Sequence, residues 1–439
     1  MKIMKFGGTS VGKPERMHEV ARLITRDEDS KIVVLSALSG TTNSLVAIGD
    51  ACAKGDKQLA KELIDKLNAH YQQFIVGLLT KPELIAKAKS IIAEHFEFLN
   101  IILKISFNDA LNKDILAQGE LMSTKMFSVY LEEIGVDHAL LPALEFMSID
   151  ANDEPQVEVI GAKLKTLLAE HATKKLFITQ GYICRNARNE VDNLKRGGSD
   201  YSASLIAAAA NASVCEIWTD IDGMHNNDPR VVNKTVAIEQ LSFDEAAELA
   251  YFGAKILHPA SIWPAQKYKI PVKLLNTMQP DAKGTIIKEE TTEQGIKAVA
   301  AKDGITVVRI KSSRMLLAYG FLRKVFEIFE KYRTPIDMIA TSEVAVSLTI
   351  DSDAHLDMIL KELAPFGDVE VVKGQSIIAI VGNELADKAG ILAKIFTALQ
   401  TVNIGMVSFG GSSHNVSILV PTEHKTTTLQ LLNSGVFGL

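Results

Sequence analysis

The chain has few cysteines, and their spacing excludes two kinds of site. Cysteine occurs three times in 439 residues, at Cys52, Cys184 and Cys215, and no two cysteines form a CxxC pair. Disulfide frameworks and cysteine-bound zinc sites both need a larger or more closely spaced set. We therefore expect a protein of the reducing cytoplasm that has neither feature.

Long apolar runs and an excess of positive charge are also missing. No run approaches the roughly 18–20 apolar residues that span a bilayer, and the first residues read as a strand rather than as a secretion signal. The formal net charge is -6, with basic and acidic residues interspersed. Because nucleic acid requires a basic face, we expect neither nucleic acid nor a membrane as a partner.

What the chain does contain is the composition of an ordinary globular protein. Hydrophobic residues make up 47% of the sequence and charged residues 23%. At this length the chain can form two or three domains, each with a sizeable core.

Residues 1–292 alternate between strand and helix patterns. The intervening helical patterns include a long stretch over 56–134, interrupted at Pro82 and near Asn108. This alternation predicts an α/β fold whose mostly parallel sheet is covered by helices on both faces. Ligands of such folds bind beyond the carboxyl ends of the strands, so residues that directly follow a strand are the first candidates for a site. Apolar, β-branched runs predict buried strands at 32–35, 176–179, 214–219 and 272–275.

The remaining residues contain an internal repeat. Glycine, leucine and phenylalanine recur at a constant spacing of 70 residues, as Gly320 and Gly390, Leu322 and Leu392, and Phe326 and Phe396. Two βαββ copies predict a pair of small ferredoxin-like modules, whose interface is a natural ligand pocket. The first copy is predicted at 305–310, 320–332, 336–341 and 344–350, and the second at 377–381, 390–400, 405–409 and 416–420.

The segment 1–13 combines a short apolar strand with features that handle phosphate. Lys5 ends the strand and is followed by Gly7 and Gly8, two hydroxyl residues and a predicted helix near Pro14. Glycine lets backbone N–H groups approach an anion, and a helix N-terminus adds partial positive charge. The spacing to Gly12 imitates a Walker A loop, but Pro14 stands where that loop needs a hydroxyl for Mg²⁺, which excludes a P-loop NTPase. Taken alone, a glycine pair after a strand is more often just a tight turn.

Three further segments place polar groups at strand ends or helix starts. The hydroxyl-rich loop 35–43 follows the second strand and reads either as an anion-binding turn or as a helix cap. Glu120 stands beside a glycine within an apolar helix, where it is either a surface carboxylate or a partner for a substrate ammonium. Arg196 and Asp200 flank a glycine pair that opens a helix. Arg196 can bind a carboxylate with both arms, whereas Asp200 also suits a helix cap.

Two more segments resemble nucleotide-binding elements less specifically. A strand ends at 217–223 and is followed by the loop 227–230, Asn-Asp-Pro-Arg, which can cradle a base and phosphates. The segment 253–259 places Lys255 near a helix end, where a surface lysine is the simpler interpretation.

Taken in order, these segments resemble the aspartokinases of the amino-acid-kinase family. The resemblance extends over essentially the whole chain, because its tail resembles the paired ACT modules of that family. The residues that carry it are Lys5-Phe-Gly-Gly-Thr-Ser, Ser-Ala-x-Ser-Gly-x-Thr-Asn at 36–43, Gly119-Glu-Leu-Met-Ser, Arg196-Gly-Gly-Ser-Asp, Trp218-Thr-Asp, Asp228-Pro-Arg, Phe252-Gly-Ala-Lys-x-Leu-His-Pro, Thr341-Ser-Glu-Val and Ser412-Ser-His-Asn.

The resemblance implies a fold, a domain division and a reaction. It implies a catalytic amino-acid-kinase domain over 1–292 and two ferredoxin-like βαββαβ ACT modules over 293–372 and 373–439, the first of which the C-terminal segment can complete. It further implies a monofunctional enzyme, because no homoserine dehydrogenase domain follows. The implied reaction transfers the γ-phosphoryl of MgATP to the side-chain carboxylate of L-aspartate, at the start of lysine, threonine and methionine biosynthesis.

The resemblance also assigns roles to individual residues. Mg²⁺ is expected to bind mainly phosphate oxygens and water, without a protein metal cage. The residues assigned to catalysis are Lys5 and Asp200, those for aspartate are Thr42, Glu120, Arg196 and Ser199, and those for the nucleotide are Gly7, Gly8, Ser39, Thr219, Asp220, His225, Arg230 and Lys255.

Feedback control by an amino acid, with lysine as the expected effector, is a further implication. Relatives often carry tyrosine where His225 stands, and lysine-sensitive relatives carry a more polar pair at Leu317 and Ala318. The ACT modules imply a homodimer or larger homo-oligomer. The residues that match an effector pocket are Met315, Ala318, Asp337, Thr341, Ser342 and Glu343.

Two alternative functions differ from this one in testable ways. Glutamate 5-kinase and carbamate kinase belong to the same superfamily, but Glu120 and Arg196 together favour an α-amino acid, and the paired ACT tail favours aspartate. A catalytically silent amino-acid sensor is the alternative outside enzymes. The presence of Lys5 and Asp200 argues against it.

Overall fold

Two units make up the structure, a computed structural model that describes residues 1–194, 197–253, 257–291, 294–312, 315 and 319–439. The first unit comprises Met1–Met224 and Leu257–Glu289, and the second comprises His225–Ile256 and Glu290–Leu439. The second unit therefore contains an insertion from the sequence of the first.

Strands and helices alternate along the first unit, as the sequence predicts. Its elements are β1 (Lys2–Phe6), α1 (Gly8–Val11), α2 (Pro14–Ile24), β2 (Lys31–Leu35), α3 (Thr41–Ala53), α4 (Lys57–Leu78), α5 (Pro82–Ile102), α6 (Asp109–Glu133), β3 (Ala139–Leu141), α7 (Ala143–Phe146), α8 (Val157–Glu170), β4 (Leu176–Gln180), β5 (Ile183–Arg185), β6 (Val191–Asn193), α9 (Gly198–Ala209), β7 (Val214–Thr219), α11 (Pro259–Lys267), β9 (Val272–Asn276) and β10 (Thr285–Lys288).

The strands of the first unit form a sheet in the order β3-β4-β2-β1-β7-β9-β10. Every neighbouring pair from β3 to β9 is parallel, and β10 runs antiparallel to β9. β1 lies in the middle because its residues are apolar or shielded on both faces. The prediction of a mostly parallel sheet is confirmed.

Helices cover this sheet, and the alternation of side chains along β1 decides which residue faces which layer. Met4 and Phe6 belong to the core formed with α2 to α6. Because successive residues of a strand point to opposite faces, Ile3 and Lys5 face the other layer, in which α9 packs against β1. The breaks predicted at Pro82 and near Asn108 are confirmed as the starts of α5 and α6.

The second unit consists of the inserted segment and the C-terminal part of the chain. Its elements are β8 (Gln240–Ser242), α10 (Phe243–Tyr251), β11 (Gly295–Lys311), α12 (Phe321–Lys331), β12 (Ile339–Thr341), β13 (Ala345–Ile350), α13 (Leu356–Leu363), β14 (Asp368–Asn383), α14 (Ile391–Ala398), β15 (Met406–Phe409), β16 (Asn415–Pro421) and α15 (Lys425–Phe437).

The two predicted ferredoxin-like modules share a sheet in the order β12-β13-β11-β14-β16-β15. The long strands β11 and β14 pair antiparallel from Gly295 opposite Asn383 to Lys311 opposite Asp368. Each long strand therefore serves both modules. One half of each long strand is the first strand of one module, and the other half is the fourth strand of the second module.

Each module has its own apolar core. One core contains Val325 and Phe329 of α12, and the other contains Ile391 and Ile395 of α14. The repeated glycines Gly320 and Gly390 are the N-caps of these two helices, with φ of 77° and 85°. Glycine adopts this left-handed conformation without strain, which explains why it recurs in both copies.

Two further observations apply to the described residues and concern membrane spans and cysteines. No described helix combines the length and the apolar character needed to cross a membrane. Cys52, Cys184 and Cys215 are all free thiols.

Candidate active site

The carboxyl end of β1 lies where the order of the sheet reverses. β1 has β2 on one side and β7 on the other, so the loops that follow these strands lead in opposite directions. A crevice opens at such a point and is the usual ligand site of α/β sheets. Several residues assigned to the site from the sequence lie at these strand ends: Lys5 near the end of β1, Ser39 after β2, and Thr219 at the end of β7.

Lys5 and Asp200 meet beside this point. The Lys5 Nζ lies 2.6 Å from the Asp200 Oδ1, with side-chain exposures of 11% and 19%. The pair forms because Lys5 points from β1 toward α9, and Asp200 occupies the first turn of that helix. The structure brings together the two residues that the sequence assigns to catalysis.

The glycines after β1 serve close packing rather than an unusual turn. Gly7 adopts extended backbone with φ of -73° and ψ of 169°. A Cβ on Gly7 would lie 3.2 Å from the Lys5 Nζ, and a Cβ on Gly8 would lie 3.1 Å from the Ala37 carbonyl oxygen. The loop after β1 and the loop after β2 therefore approach each other, with Ser39 next to Gly8 and Gly12.

Glu120 lies buried on α6 and contacts the loop after β2. Its side-chain Oε1 accepts a hydrogen bond from the Ala37 N–H at 3.2 Å, and the residue is 4% exposed. Burial raises the pKa of Glu120 to about 8, although the Ala37 N–H opposes this shift. A buried carboxyl with a strongly raised pKa is a functional-site candidate.

Gly119 makes this contact possible. A Cβ at Gly119 would lie 2.8 Å from the Ala37 Cβ and 3.3 Å from Leu45. α6 can therefore approach the loop after β2 and α3 only with glycine at this position.

The loop 35–43 gives a helix cap of a different kind from the one considered. Gly40, with φ of 81°, is the N-cap of α3, and no hydroxyl caps the helix. The Thr41 Oγ1 lies 3.2 Å from the Tyr71 hydroxyl in the core. Thr42 is exposed in the first turn of α3.

Ser199 is buried at the start of α9, directly behind the strand end of β4. A Cβ on Gly181 would collide with the Ser199 side chain. Tyr182 follows in the left-handed region at φ of 66° and donates its backbone N–H to the Ser202 Oγ at 2.7 Å. Arg196, assigned to aspartate binding, lies outside the described residues.

Thr219 ends β7 and Asp220 follows it, and the Thr219 Oγ1 donates to the Asp220 Oδ1 at 3.1 Å. Two polar residues that the sequence interpretation missed lie close by. The Ser10 and Thr277 hydroxyl oxygens are 2.8 Å apart, and both residues are buried. Thr277 follows the predicted strand 272–275, so the rule on strand ends could have identified it.

The nucleotide residues assigned to the loop after β7 belong to the second unit. The His225 Nδ1 lies 2.7 Å from the Thr235 Oγ1. Arg230 is exposed and forms a forked pair with Asp228, at 2.9 Å from Nε to Oδ1 and 2.7 Å from Nη2 to Oδ2. Lys255 lies outside the described residues.

Among the residues assigned to an effector, Asp337 lies in a network of polar side chains. Its Oδ1 accepts hydrogen bonds from the Tyr251 hydroxyl at 2.5 Å and from the Lys302 Nζ at 2.9 Å. The Asp337 side chain is 1% exposed, and its Oδ2 is buried without a hydrogen-bond partner. Lys302 also pairs with Asp351 at 2.9 Å. Lys302 was not predicted from the sequence, because a lysine within a strand pattern does not indicate which carboxylates it will contact.

The other effector residues lie around a hairpin. Thr341 ends β12, and the Ser342 N–H donates to the Ala345 carbonyl at 2.8 Å. Thr341, Ser342 and Glu343 are exposed, whereas Met315 is half-buried. Ala318 lies outside the described residues. Among those described, no group of three or more His, Cys, Asp or Glu side chains could hold a metal ion.

Known proteins resemble this chain over nearly its whole length. The amino acid kinase family profile matches residues 1–276, and an ACT domain profile matches 378–435. The chain is 34% identical to the lysine-sensitive aspartokinase 3 of Escherichia coli (strain K12), over 99% of each chain.

Two crystal structures of E. coli aspartokinase III extend this likeness to the fold. The complex with aspartate and ADP (R-state) superposes with a TM-score of 0.83 at 33% identity, covering 100% of both chains. The complex with lysine and aspartate (T-state) gives 0.82 at 34% identity, covering 100% of this chain and 99% of that one. The chain therefore belongs to the aspartokinases of the amino acid kinase family.

Proposed function

We propose that the protein transfers the γ-phosphoryl of ATP to the side-chain carboxylate of L-aspartate, in a site at the carboxyl end of β1. The products are 4-phospho-L-aspartate and ADP. The observation that carries this proposal is the Lys5–Asp200 pair at the reversal point of the sheet. The aspartate and ADP bound to the similar E. coli enzyme support the choice of substrates.

The chemistry requires charge neutralisation rather than a general base. A side-chain carboxyl with an ordinary pKa near 3.9 is already ionised at neutral pH. The barrier comes from bringing this anion to a phosphoryl group while negative charge moves to the departing ADP. Positioning and cationic groups therefore supply the catalysis.

Lys5 is the group that fits this requirement. Its ammonium is largely shielded from water, where a charge interaction is stronger than in bulk solvent. Asp200 fixes the direction of that ammonium. Gly7 leaves room beside the Lys5 Nζ for the transferring phosphoryl. Gly8 lies against the facing loop, where Ser39 adds a hydroxyl.

Glu120 is the proposed partner of the aspartate ammonium. Its buried carboxyl is held by the Ala37 N–H in the loop that follows β2. Arg196 is assigned to the α-carboxylate because its guanidinium binds carboxylates with two donors. Thr42 and Ser199 complete the proposed set.

The residues assigned to the nucleotide are Thr219, Asp220, His225, Arg230 and Lys255. Mg²⁺, when bound to ATP, would draw charge from the phosphate oxygens. The Asp200 carboxylate supplies the oxygen chemistry that Mg²⁺ prefers.

Trapping the product tests the substrate assignment. Protein, MgATP, aspartate and hydroxylamine are expected to give aspartyl hydroxamate. Product with glutamate and none with aspartate would reject the proposal.

Lys5→Met is expected to reduce kcat by about a thousandfold or more, since transition-state charge contacts contribute several kcal/mol. Its circular dichroism spectrum is expected to stay unchanged. A loss of a few fold would reject the role of Lys5.

We propose lysine as the effector, bound near Asp337. The buried, unpartnered Asp337 Oδ2 supports a cationic ligand, as does the lysine bound to the similar E. coli enzyme. The effector ammonium would compete with Lys302 for this carboxylate. Titrating lysine, threonine and methionine against activity tests the assignment, and flat curves for all three would reject it.

The remaining assignments stay predictions. The domain limits at 1–292, 293–372 and 373–439 are proposed from the sequence pattern, as are a cytoplasmic location and a homodimer formed through the ACT modules.

A further inference from the structure

Three buried amide side chains join the segment 225–237 to the last helix of the chain. Asn226 and Asn227 lie in the segment and Asn433 lies on α15, and all three residues are at most 5% exposed. Buried amides are costly unless every donor and acceptor is satisfied, so this cluster fixes one arrangement of the segment.

The segment is first closed upon itself. The Asn226 N–H donates to the Val236 carbonyl at 3.0 Å, and the Val236 N–H donates to the Asn226 Oδ1 at 2.7 Å. An antiparallel bridge joins His225 to Ala237. The two ends of the segment therefore run side by side.

α15 then holds the closed segment at several points. The Asn433 Oδ1 accepts from the Nδ2 groups of Asn226 and Asn227, at 3.3 Å each. The Asn433 Nδ2 donates to the Lys234 carbonyl at 3.0 Å. Val232 of the segment packs in the same apolar core as Leu429 of α15.

A continuous series of hydrogen bonds leads from α15 to Arg230. The Asn227 Nδ2 reaches Asn433 and the Leu429 carbonyl, and the Asn227 Oδ1 accepts from the Asp228 N–H at 2.9 Å. Asp228 in turn holds both arms of the Arg230 guanidinium. The side-chain hydrogen bonds with Arg230 lower the pKa of Asp228, which keeps the fork ionised.

We propose that Asn433 is a positioning residue for nucleotide binding, acting through Asn227 and Asp228 on Arg230. The inference rests on the proposed role of Arg230. Asn433 supplies the acceptor that two buried amides share and a donor for a third group. Without it the segment loses its single arrangement, and Arg230 must be ordered again each time the nucleotide binds.

The test compares the Michaelis constants for the two substrates. Asn433→Leu is expected to raise KM for ATP by about tenfold, in the range for buried groups that lose a hydrogen-bond partner. KM for aspartate and kcat are expected to stay within about twofold. Thr428→Val is the matched control, because this buried hydroxyl on α15 donates to the His424 carbonyl at the start of the same helix.

The outcomes separate this inference from the assignment of Arg230. Equal changes in kcat and both KM values for Asn433→Leu would reduce Asn433 to a structural residue and overturn the inference. An unchanged KM for ATP would also overturn it. If Arg230→Met leaves KM for ATP unchanged, the role of Arg230 fails and the inference fails with it; if Arg230→Met raises KM for ATP and Asn433→Leu does not, the inference alone fails. Should Asn433→Leu not fold, Asn227→Ala probes the same connection from the segment, with the same expected rise in KM for ATP and the same contradicting result.

Discussion

At the scale of single residues, Glu120 has a protonation state that differs from that of an ordinary glutamate. Burial raises its pKa to about 8, against about 4.3 for an exposed carboxyl. In the free protein at neutral pH the carboxyl is therefore mostly protonated. The proposed ammonium partner requires the ionised form.

This shift predicts a pH dependence of aspartate binding. Raising the pH from 6.5 to 8.5 ionises Glu120, so KM for aspartate is expected to fall several-fold over this range. Glu120→Gln is expected to raise KM for aspartate and to remove the pH dependence. Steady-state kinetics at saturating MgATP would measure both, and an unchanged slope in Glu120→Gln would contradict the prediction.

Lys5 illustrates what the sequence can and cannot give at this scale. Its position at a strand end before a glycine pair marks it as a phosphate-handling residue. The partner 195 residues away, Asp200, is named by the family pattern, but the 2.6 Å contact depends on the packing of α9 against β1. Lys302 and Asn433 carry no comparable pattern, and their partners appear only in the folded chain.

At the scale of secondary-structure elements, the approach of α6 to the loop after β2 depends on Gly119. Gly119→Ala is expected to lower stability by about 1–3 kcal/mol, the usual cost of overpacking. It should also raise KM for aspartate, since the displaced loop carries the Ala37 N–H that holds Glu120.

A second helical glycine provides the control for Gly119→Ala. A Cβ on Gly161 would lie 3.0 Å from the Ala209 carbonyl, in the contact of α8 with α9. Gly161→Ala should lower the melting temperature without changing KM for aspartate. Equal effects of both variants on KM would contradict the proposed link between Gly119 and the site.

Lys302 of β11 gives a prediction about regulation. Burial lowers the pKa of Lys302, but the hydrogen-bonded ion pairs with Asp337 and Asp351 outweigh burial and raise this pKa overall. Its ammonium therefore stays charged and occupies the carboxylate proposed for the effector. Lys302→Met is expected to lower the lysine concentration for half-inhibition several-fold, because a competing cation is removed, and to increase the thermal stabilisation by lysine.

The matched control for Lys302 is Lys331, whose ammonium pairs with Glu362 on the surface. Lys331→Met is expected to leave inhibition by lysine unchanged. If Lys302→Met weakens inhibition instead, Lys302 is part of the effector site rather than its competitor.

Elements with strong local signals were predicted well. The helix starts near Gly320 and Gly390, at Pro82 and after Asn108 follow from glycine, proline and a capping side chain, which act on the local backbone. The hydroxyls of the loop 35–43 predict a serine or threonine cap for α3, whereas Gly40 occupies the N-cap position. The long strands β11 and β14 also exceed the predicted segments, since their additional residues gain their place from pairing with each other.

At the scale of the whole molecule, the outer strands of the second unit's sheet predict self-association. Ile339 of β12 and Phe409 of β15 are 44% and 40% exposed. Edge strands with exposed apolar side chains tend to pair with another chain. Light scattering at micromolar concentration is expected to give about twice the chain mass of 47.8 kDa or more.

A substitution on the outer strand tests the location of that contact. Phe409→Lys is expected to shift the measured mass toward that of one chain. A single-chain mass for the unaltered protein would contradict self-association, and an unchanged oligomer in Phe409→Lys would place the contact elsewhere.

The sequence alone determined the alternation of strands and helices, the duplicated C-terminal module, and a reaction class marked by Lys5, Glu120 and Asp200. These follow from local periodicity, from backbone-fixing residues and from ordered motifs. Only the tertiary structure decided which buried polar groups meet. It brought the Lys302 ammonium to the Asp337 carboxylate and the Asn433 amide to the segment 225–237 that carries Arg230, and it buried the Glu120 carboxyl. Such contacts depend on the packing of elements distant in the chain, and polar groups that pair after burial leave no periodic signal in the sequence.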